Sequence, residues 1–168
     1  MTGTRKRLLM NLCLLVLVAG LGWMAYQQVK NDNKGVDTLY SEAIGDTMNE
    51  IRISVPGQPE IVLSAEGDDW FITQPIQAKA NPKSLRHLLT LMAEPILKTY
   101  EVEGKTLETY ELGAKAIRVK FNGIEYALGK LNPLNRQRYI LLENKILMAN
   151  EVVYELLNRG VDGFKEEK

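Results

Sequence analysis

Histidine, cysteine, paired carboxylates and activated hydroxyls are the usual raw material of protein chemistry, and this chain is poor in all of them. It holds one histidine, His87, and one cysteine, Cys13. A metal centre needs several ligands converging on one point. With no second imidazole and no thiolate nearby, His87 would have only carboxylates as companions. Leu85, Leu88, Leu89 and Met92 recur around it at helical spacing. At about 100° per residue His87 falls on the far side of that helix and is expected to face solvent. Asp68 and Asp69 form an adjacent carboxylate pair, but they follow Gly67 and precede an apolar run, which is the setting of a turn. No calcium-loop spacing of oxygen ligands accompanies them. Ser41, Ser54, Ser64 and Ser84 lack the context of an activated nucleophile, and Gly123 and Gly129 lack phosphate-loop spacing. General acid–base and covalent catalysis have no visible apparatus. The expectation is a non-enzymatic protein with no cofactor and no metal.

The most pointed composition lies in the segment from Gly129 to Arg138. It carries the cations Lys130, Arg136 and Arg138, and the apolar residues Leu131 and Leu134 on either side of Pro133. Arginine grips carboxylates or phosphates through two parallel N–H groups, and exposed loops carry binding function more often than cores do. Lys130, Leu131, Leu134, Arg136 and Arg138 are therefore the candidate partner-binding residues, on a loop joining two strands. A solvated loop with no partner is the plainer alternative.

The elements that must position this loop are legible from periodicity. Ile51, Ile53 and Val55 alternate with polar residues, as do Ile117, Val119 and Phe121, which predicts half-buried strands. Pro56-Gly57, Gly67-Asp68-Asp69, Asn122-Gly123 and Glu143-Asn144 are turns, and Asn122-Gly123 is the strongest hairpin signal. Further strands are expected at Ile61–Leu63, Trp70–Thr73, Ile96–Val102, Ile124–Leu128, Tyr139–Leu142 and Ile146–Met148. Asn81 and Pro82 open a helix at good capping positions. A second helix is expected from about Asn150, with Val152, Val153, Leu156 and Leu157 on one side and a stop at Gly160. Glu50–Val55 resembles Ala116–Phe121, 66 positions later. The predicted fold is α+β: antiparallel sheet with two amphipathic helices, in two similar β-β-β-α halves.

The N-terminus reads as an anchor. After Arg5, Lys6 and Arg7, an apolar run extends from Leu8 to Tyr26, 19 residues. As a helix it covers roughly 28 Å, against about 30 Å of bilayer hydrocarbon. The basic flank holds that end in the cytoplasm. The expected organisation is a cytoplasmic tail 1–7, a transmembrane anchor 8–28, a tether 29–47, an extracytoplasmic domain 48–163 and a solvated tail 164–168. Val18-Ala19-Gly20 would serve as a cleavage site in the competing signal-peptide reading. Setting the three tail cations apart from a balanced 21 and 21 leaves the exported part net acidic, which argues against nucleic acid as a partner. With its only cysteine in the apolar run, that part forms no disulfide.

Several short elements resemble the DUF4340 family of domains of unknown function, over about residues 48 to 157. They are Trp70-Phe71-Ile72-Thr73-Gln74-Pro75, Ala80-Asn81 before the leucine-rich helix, Thr109-Tyr110-Glu111-Leu112-Gly113, Ile124–Leu128 with Gly129, and Arg138-Tyr139-Ile140. Glu111 stands where a glycine is common in the family. The resemblance implies an exported, N-terminally anchored accessory domain, sometimes found beside gliding-motility-type transporter components, and supplies no catalytic residue. The functional expectation is a periplasmic binding or scaffold domain on the cell inner membrane, anchored through residues 8–26 and acting on a protein partner within an envelope or transport complex. The alternative is a ligand-binding module for a small molecule, peptide or glycan, using a groove between the halves.

Overall fold

Ile51 and Ile53 alternate with Glu50, Arg52 and Ser54, and this period of two gives strand β1 (Glu50–Ser54) one buried and one polar face. The computed structural model describes residues 20–23, 37–44 and 47–166. From β1 the chain folds through β2 (Ile61–Glu66), β3 (Asp69–Gln74), the two-residue β4 (Ala78–Lys79) and helix α1 (Pro82–Ala93), then β5 (Lys98–Glu101). It continues through β6 (Ile117–Phe121), β7 (Ile124–Leu131), β8 (Gln137–Leu142), β9 (Lys145–Asn150) and the short helix α2 (Tyr154–Asn158). Short 3-10 turns occupy Glu42–Ile44, Leu107–Tyr110 and Gly160–Gly163.

All these strands form one antiparallel sheet in the order β4-β3-β2-β1-β6-β7-β8-β9-β5. β1 and β6 meet at its middle, with Ile53 opposite Val119. Outward from that pair, β2-β3-β4 and β7-β8-β9 follow as meanders. The segment after each helix crosses over. β5, after α1, pairs with β9, and Lys165, after α2, bridges Ala80 beside β4.

One face of the sheet carries the core. Ile51, Ile53, Leu63, Ile72, Val119, Phe121, Tyr126, Leu128 and Ile140 pack there against Leu85, Leu88 and Leu91 of α1 and Leu156 and Leu157 of α2. The other face, over the central strands, is charged. Arg52 pairs with Glu50 and Glu60, and Glu125 with Arg118 and Lys120. The hydrogen bond from Arg52 holds the Glu50 carboxyl below the ordinary carboxylate range. Asn122 and Gly123 turn β6 into β7 with φ of 46° and 91°, the left-handed pair that a two-residue hairpin demands.

Several expectations need correction. The helix predicted to bury Leu85, Leu88, Leu89 and Met92 buries Leu91 fully, while Leu89 and Met92 are half-buried. A helix lying across a sheet presents a broader apolar face than a single stripe. The expected tether 29–47 is part of the domain from Asp37 onward. Leu39 and Ile44 sit in the core, Thr38 bridges Pro95, and the Leu39 N–H donates to the Glu94 carbonyl. The expected solvated tail 164–168 begins with Phe164, which is buried in the core. The last helix begins at Tyr154 rather than near Asn150, because β9 continues to Asn150. Residues 8–28, read as the anchor, lie outside the described residues except for 20–23, which are helical. Among the described residues no helix is long and apolar enough to cross a membrane.

Candidate functional site at a hairpin tip

β7, at eight residues, is longer than the strands around it, and its pairing with β8 shifts register between Leu128 and Leu131. The expected loop from Gly129 to Arg138 is thereby divided. Lys130 and Leu131 complete β7, Arg138 lies within β8, and only residues 132–136 turn between them. That turn is held by its own hydrogen bonds. The Asn132 N–H donates to the Gln137 carbonyl at 2.7 Å, and the Arg136 N–H to the Asn132 carbonyl at 2.9 Å. Asn132 Oδ1 accepts from the Leu134 N–H at 3.0 Å, the local bond that favours asparagine in turns. Asn132 Nδ2 donates to the Tyr139 hydroxyl, and Asn135 and Gln137 close the far side. Arg136 takes a left-handed φ of 56°.

The result is a braced turn with Leu134 at its apex, 93% exposed. Arg136 is exposed, and Lys130 and Leu131 are half-buried at the base. The backbone of the turn, held by these bonds, has already lost freedom that binding would otherwise remove.

Arg138 does not belong to this surface. It is 5% exposed and lies on the core side of β8, in step with Ile140. Its guanidinium donates to Glu151 Oε2 and to the Gly129 carbonyl. Its other side stacks on Tyr154, 3.6 Å from the ring centroid. The cation predicted to grip a partner ties the β7 irregularity to the start of α2. The sequence signal was Glu151 and Tyr154, but nothing in spacing alone joins them to Arg138.

The remaining candidates are structural. His87 is exposed, as expected, and its Nε2 lies 2.7 Å from the Val152 carbonyl. Asp68 is exposed in its turn, and Asp69 opens β3 with a 3.0 Å ion pair to Lys79. Hydrogen bonding to Asp69 raises the Lys79 pKa. Among the described residues no three His, Cys, Asp or Glu side chains gather in a way that could hold a metal. An open cleft of about 1040 Å³ lies between β4 and the C-terminal segment, lined by Ile76, Ala78, Lys79, Asp162, Lys165 and Glu166.

Two residues escaped sequence reasoning altogether. Asn122, read only as a turn former, uses its side chain as a clamp. Oδ1 accepts from the Asn49 and Glu50 N–H groups, and Nδ2 donates to the Ile44 and Thr47 carbonyls. Tyr126 is fully buried and donates its hydroxyl to the Leu39 carbonyl at 2.6 Å. Burial pushes its pKa up to about 12. Both contacts reach more than 70 residues along the chain and leave no local pattern. Compared with family models, with curated proteins and with solved structures, the chain has no match.

Proposed function

We propose that this chain is a non-enzymatic, membrane-anchored scaffold domain, held by residues 8–28 on the periplasmic side of the cell inner membrane as an accessory of an envelope or transport-type complex. The observation that carries the reading is the braced hairpin tip. Leu134 projects from it, with Lys130 and Arg136 beside it. A surface of that kind fits a partner offering an apolar recess and negative charge. The DUF4340 resemblance points the same way, toward an exported accessory domain. The apolar run from Leu8 to Tyr26 behind three cations supports the anchor.

The order of elements supports an internal duplication, of β-β-β-β-α units rather than the expected β-β-β-α, with β4 and β9 as the fourth strands. The offset of 66 positions that aligns Glu50–Val55 with Ala116–Phe121 makes Ile53 the counterpart of Val119. Those two residues pair across the centre of the sheet, where a two-fold axis relating the halves would pass. The crossed segments after each helix obey the same relation.

Affinity capture with the intact chain, against a chain carrying Leu134→Asp and Arg136→Glu, tests the scaffold role. Specific co-purification of envelope components that the substituted tip loses is expected. Equal recovery by both chains, or full function from residues 37–168 without the anchor, would sink the proposal. The cleft beside β4 favours a second reading, a ligand-binding module between the crossed ends of the halves. Thermal stabilisation by peptides, glycans or small molecules, abolished by substitution at Ile76 but indifferent to the tip, would support that reading instead.

A further inference from the structure

Residues 37–44 enter the domain as a strap over the core, with Leu39 and Ile44 buried beneath it. The strap is tied first to the end of α1, where the Leu39 N–H donates to the Glu94 carbonyl and Thr38 bridges Pro95. The Tyr126 hydroxyl ties it again, on the Leu39 carbonyl at 2.6 Å. Its far end is tied by Asn122. Nδ2 donates to the Ile44 carbonyl at 2.9 Å and to the Thr47 carbonyl at 2.6 Å. Oδ1 accepts from the Asn49 and Glu50 N–H groups at 3.0 and 3.3 Å, which fixes the amide against β1.

The residue after Asn122 is Gly123. Asparagine before glycine is the pairing most open to spontaneous deamidation, because glycine has no side chain to shield its nitrogen. The Gly123 main-chain nitrogen attacks Asn122 Cγ. A bond forms between them, the Cγ–Nδ2 bond breaks, and the amide nitrogen leaves as ammonia with the Gly123 proton. Water then opens the five-membered imide at one of its two carbonyls, giving aspartate or isoaspartate. The surroundings of the turn leave room for this. A Cβ on Gly123 would meet nothing within 4 Å, and the hydrogen bonds to Asn49 and Thr47 lie at the exposed surface. The clamp opposes it. Rotation that brings Cγ onto the Gly123 nitrogen breaks the bonds that fix the amide, and the leaving nitrogen is held by two carbonyls.

The product cannot restore the clamp. A carboxylate has no donor. In place of Nδ2 it sets an acceptor against the Ile44 and Thr47 carbonyls, while the bonds from Asn49 and Glu50 survive. Isoaspartate also lengthens the main chain inside a two-residue turn.

We propose that Asn122-Gly123 is a modification site controlled by the strap: the amide is protected while it clamps Ile44 and Thr47, deamidates when the strap lifts, and as a carboxylate keeps the strap from closing again. The strap is then a one-way switch, and a chain that has stayed open carries a permanent mark. Local opening of a segment costs less than global unfolding, so the site samples strap motion in the folded protein. It lies at the end of β7 opposite the hairpin tip and is independent of residues 1–36.

The test incubates the full chain in buffer and in guanidinium chloride at the same pH, and follows conversion at residue 122 by peptide mass spectrometry. Conversion is expected to be at least about tenfold slower in the folded chain. Tyr126→Phe, which unties the strap without altering Asn122, should raise the folded rate several-fold. Deamidated chain separated from the folded incubation by ion exchange, and Asn122→Asp in parallel, are then compared with the unmodified chain by hydrogen exchange. Faster exchange of the Leu39 and Ile44 amides is expected, with the β8 and β9 amides as slow as before. Equal conversion in buffer and denaturant overturns the proposal, because the clamp then gives no protection. An unchanged rate in Tyr126→Phe overturns control by the strap, as does a rise matched by lost protection in β8 and β9, the signature of global unfolding. Unchanged exchange at Leu39 and Ile44 in the deamidated chain overturns the one-way switch.

Discussion

Tyr126 brings a hydroxyl into the core and gives it one acceptor, the Leu39 carbonyl. Removing the donor with Tyr126→Phe leaves a buried carbonyl unpaired, at a cost of about 1–3 kcal/mol, measurable by urea unfolding. The raised pKa adds a pH signature. The folded protein holds this proton more tightly than the unfolded chain, so the stabilisation is complete below pH 10. It is lost as pH rises from the unfolded value of 10.0 toward about 12. The loss is on the order of 3 kcal/mol, and the difference between the wild-type and Tyr126→Phe unfolding curves should shrink across that window. Arg138 makes the complementary case for a buried charge. Arg138→Ala strands the Glu151 carboxylate, whose Oε1 already has no hydrogen-bond partner and whose Oε2 is held by Arg138, and the expected cost is about 3–5 kcal/mol. Arg138→Lys should recover little of it, because one ammonium cannot reach Glu151 and Gly129 while stacking on Tyr154. Arg138→Met with Glu151→Gln should recover more than Arg138→Lys. A lysine variant as stable as wild type would show that the fork geometry is unimportant.

At the scale of elements, the segment from Asp37 to Ile44 is the part that sequence reading misplaced. Among its described side chains only Leu39 and Ile44 are buried, too few to show a period, and its long-range hydrogen bonds include those to Glu94, Asn122 and Tyr126. Leu39→Ala should therefore cost about 2–5 kcal/mol, as a core truncation does, where a tether residue would cost nothing measurable. Calorimetry of the two proteins distinguishes these outcomes. Gly129 shows the same kind of hidden constraint. A Cβ at that position would come 2.2 Å from the Tyr110 carbonyl oxygen, so Gly129→Ala must displace the 3-10 turn at Leu107–Tyr110. The expected loss is about 1–3 kcal/mol, with the edge-to-face contact of Tyr110 and Tyr139 disturbed. The central strands, the Asn122-Gly123 hairpin and the Asn81-Pro82 helix start were legible because alternation, turn chemistry and capping are local. Asn81 caps α1 as read, accepting from the Lys83 N–H at 2.9 Å. The burial of Arg138 was not legible, because its charge is visible in sequence while its partners Gly129, Glu151 and Tyr154 come together only through the sheet.

At the scale of the molecule, the sheet arranges the chain so that entry and tip share one end, while the charged turns at Gly67-Asp68 and Glu143-Asn144 lie at the other. The likeness of Glu50–Val55 to Ala116–Phe121 is visible in the sequence, whereas the pairing of β5 with β9 and of Lys165 with Ala80 is not, since single strands carry no address. The candidate site was half legible. Lys130, Leu134 and Arg136 were identified by composition, and Arg138 was grouped with them because a strand boundary two residues earlier cannot be read from charge. The account turns on the anchor holding this domain outside the cytoplasm. The most direct test is labelling of the full chain, with Cys13→Ser and Asn144→Cys, by a membrane-impermeant maleimide in bacterial cells with a permeabilised outer membrane, followed by alkaline carbonate extraction. The account predicts a full-length chain that stays in the washed membranes and is labelled at residue 144 without lysis of the inner membrane. Labelling only after lysis, or release of a chain shortened at Val18-Ala19-Gly20, would contradict it.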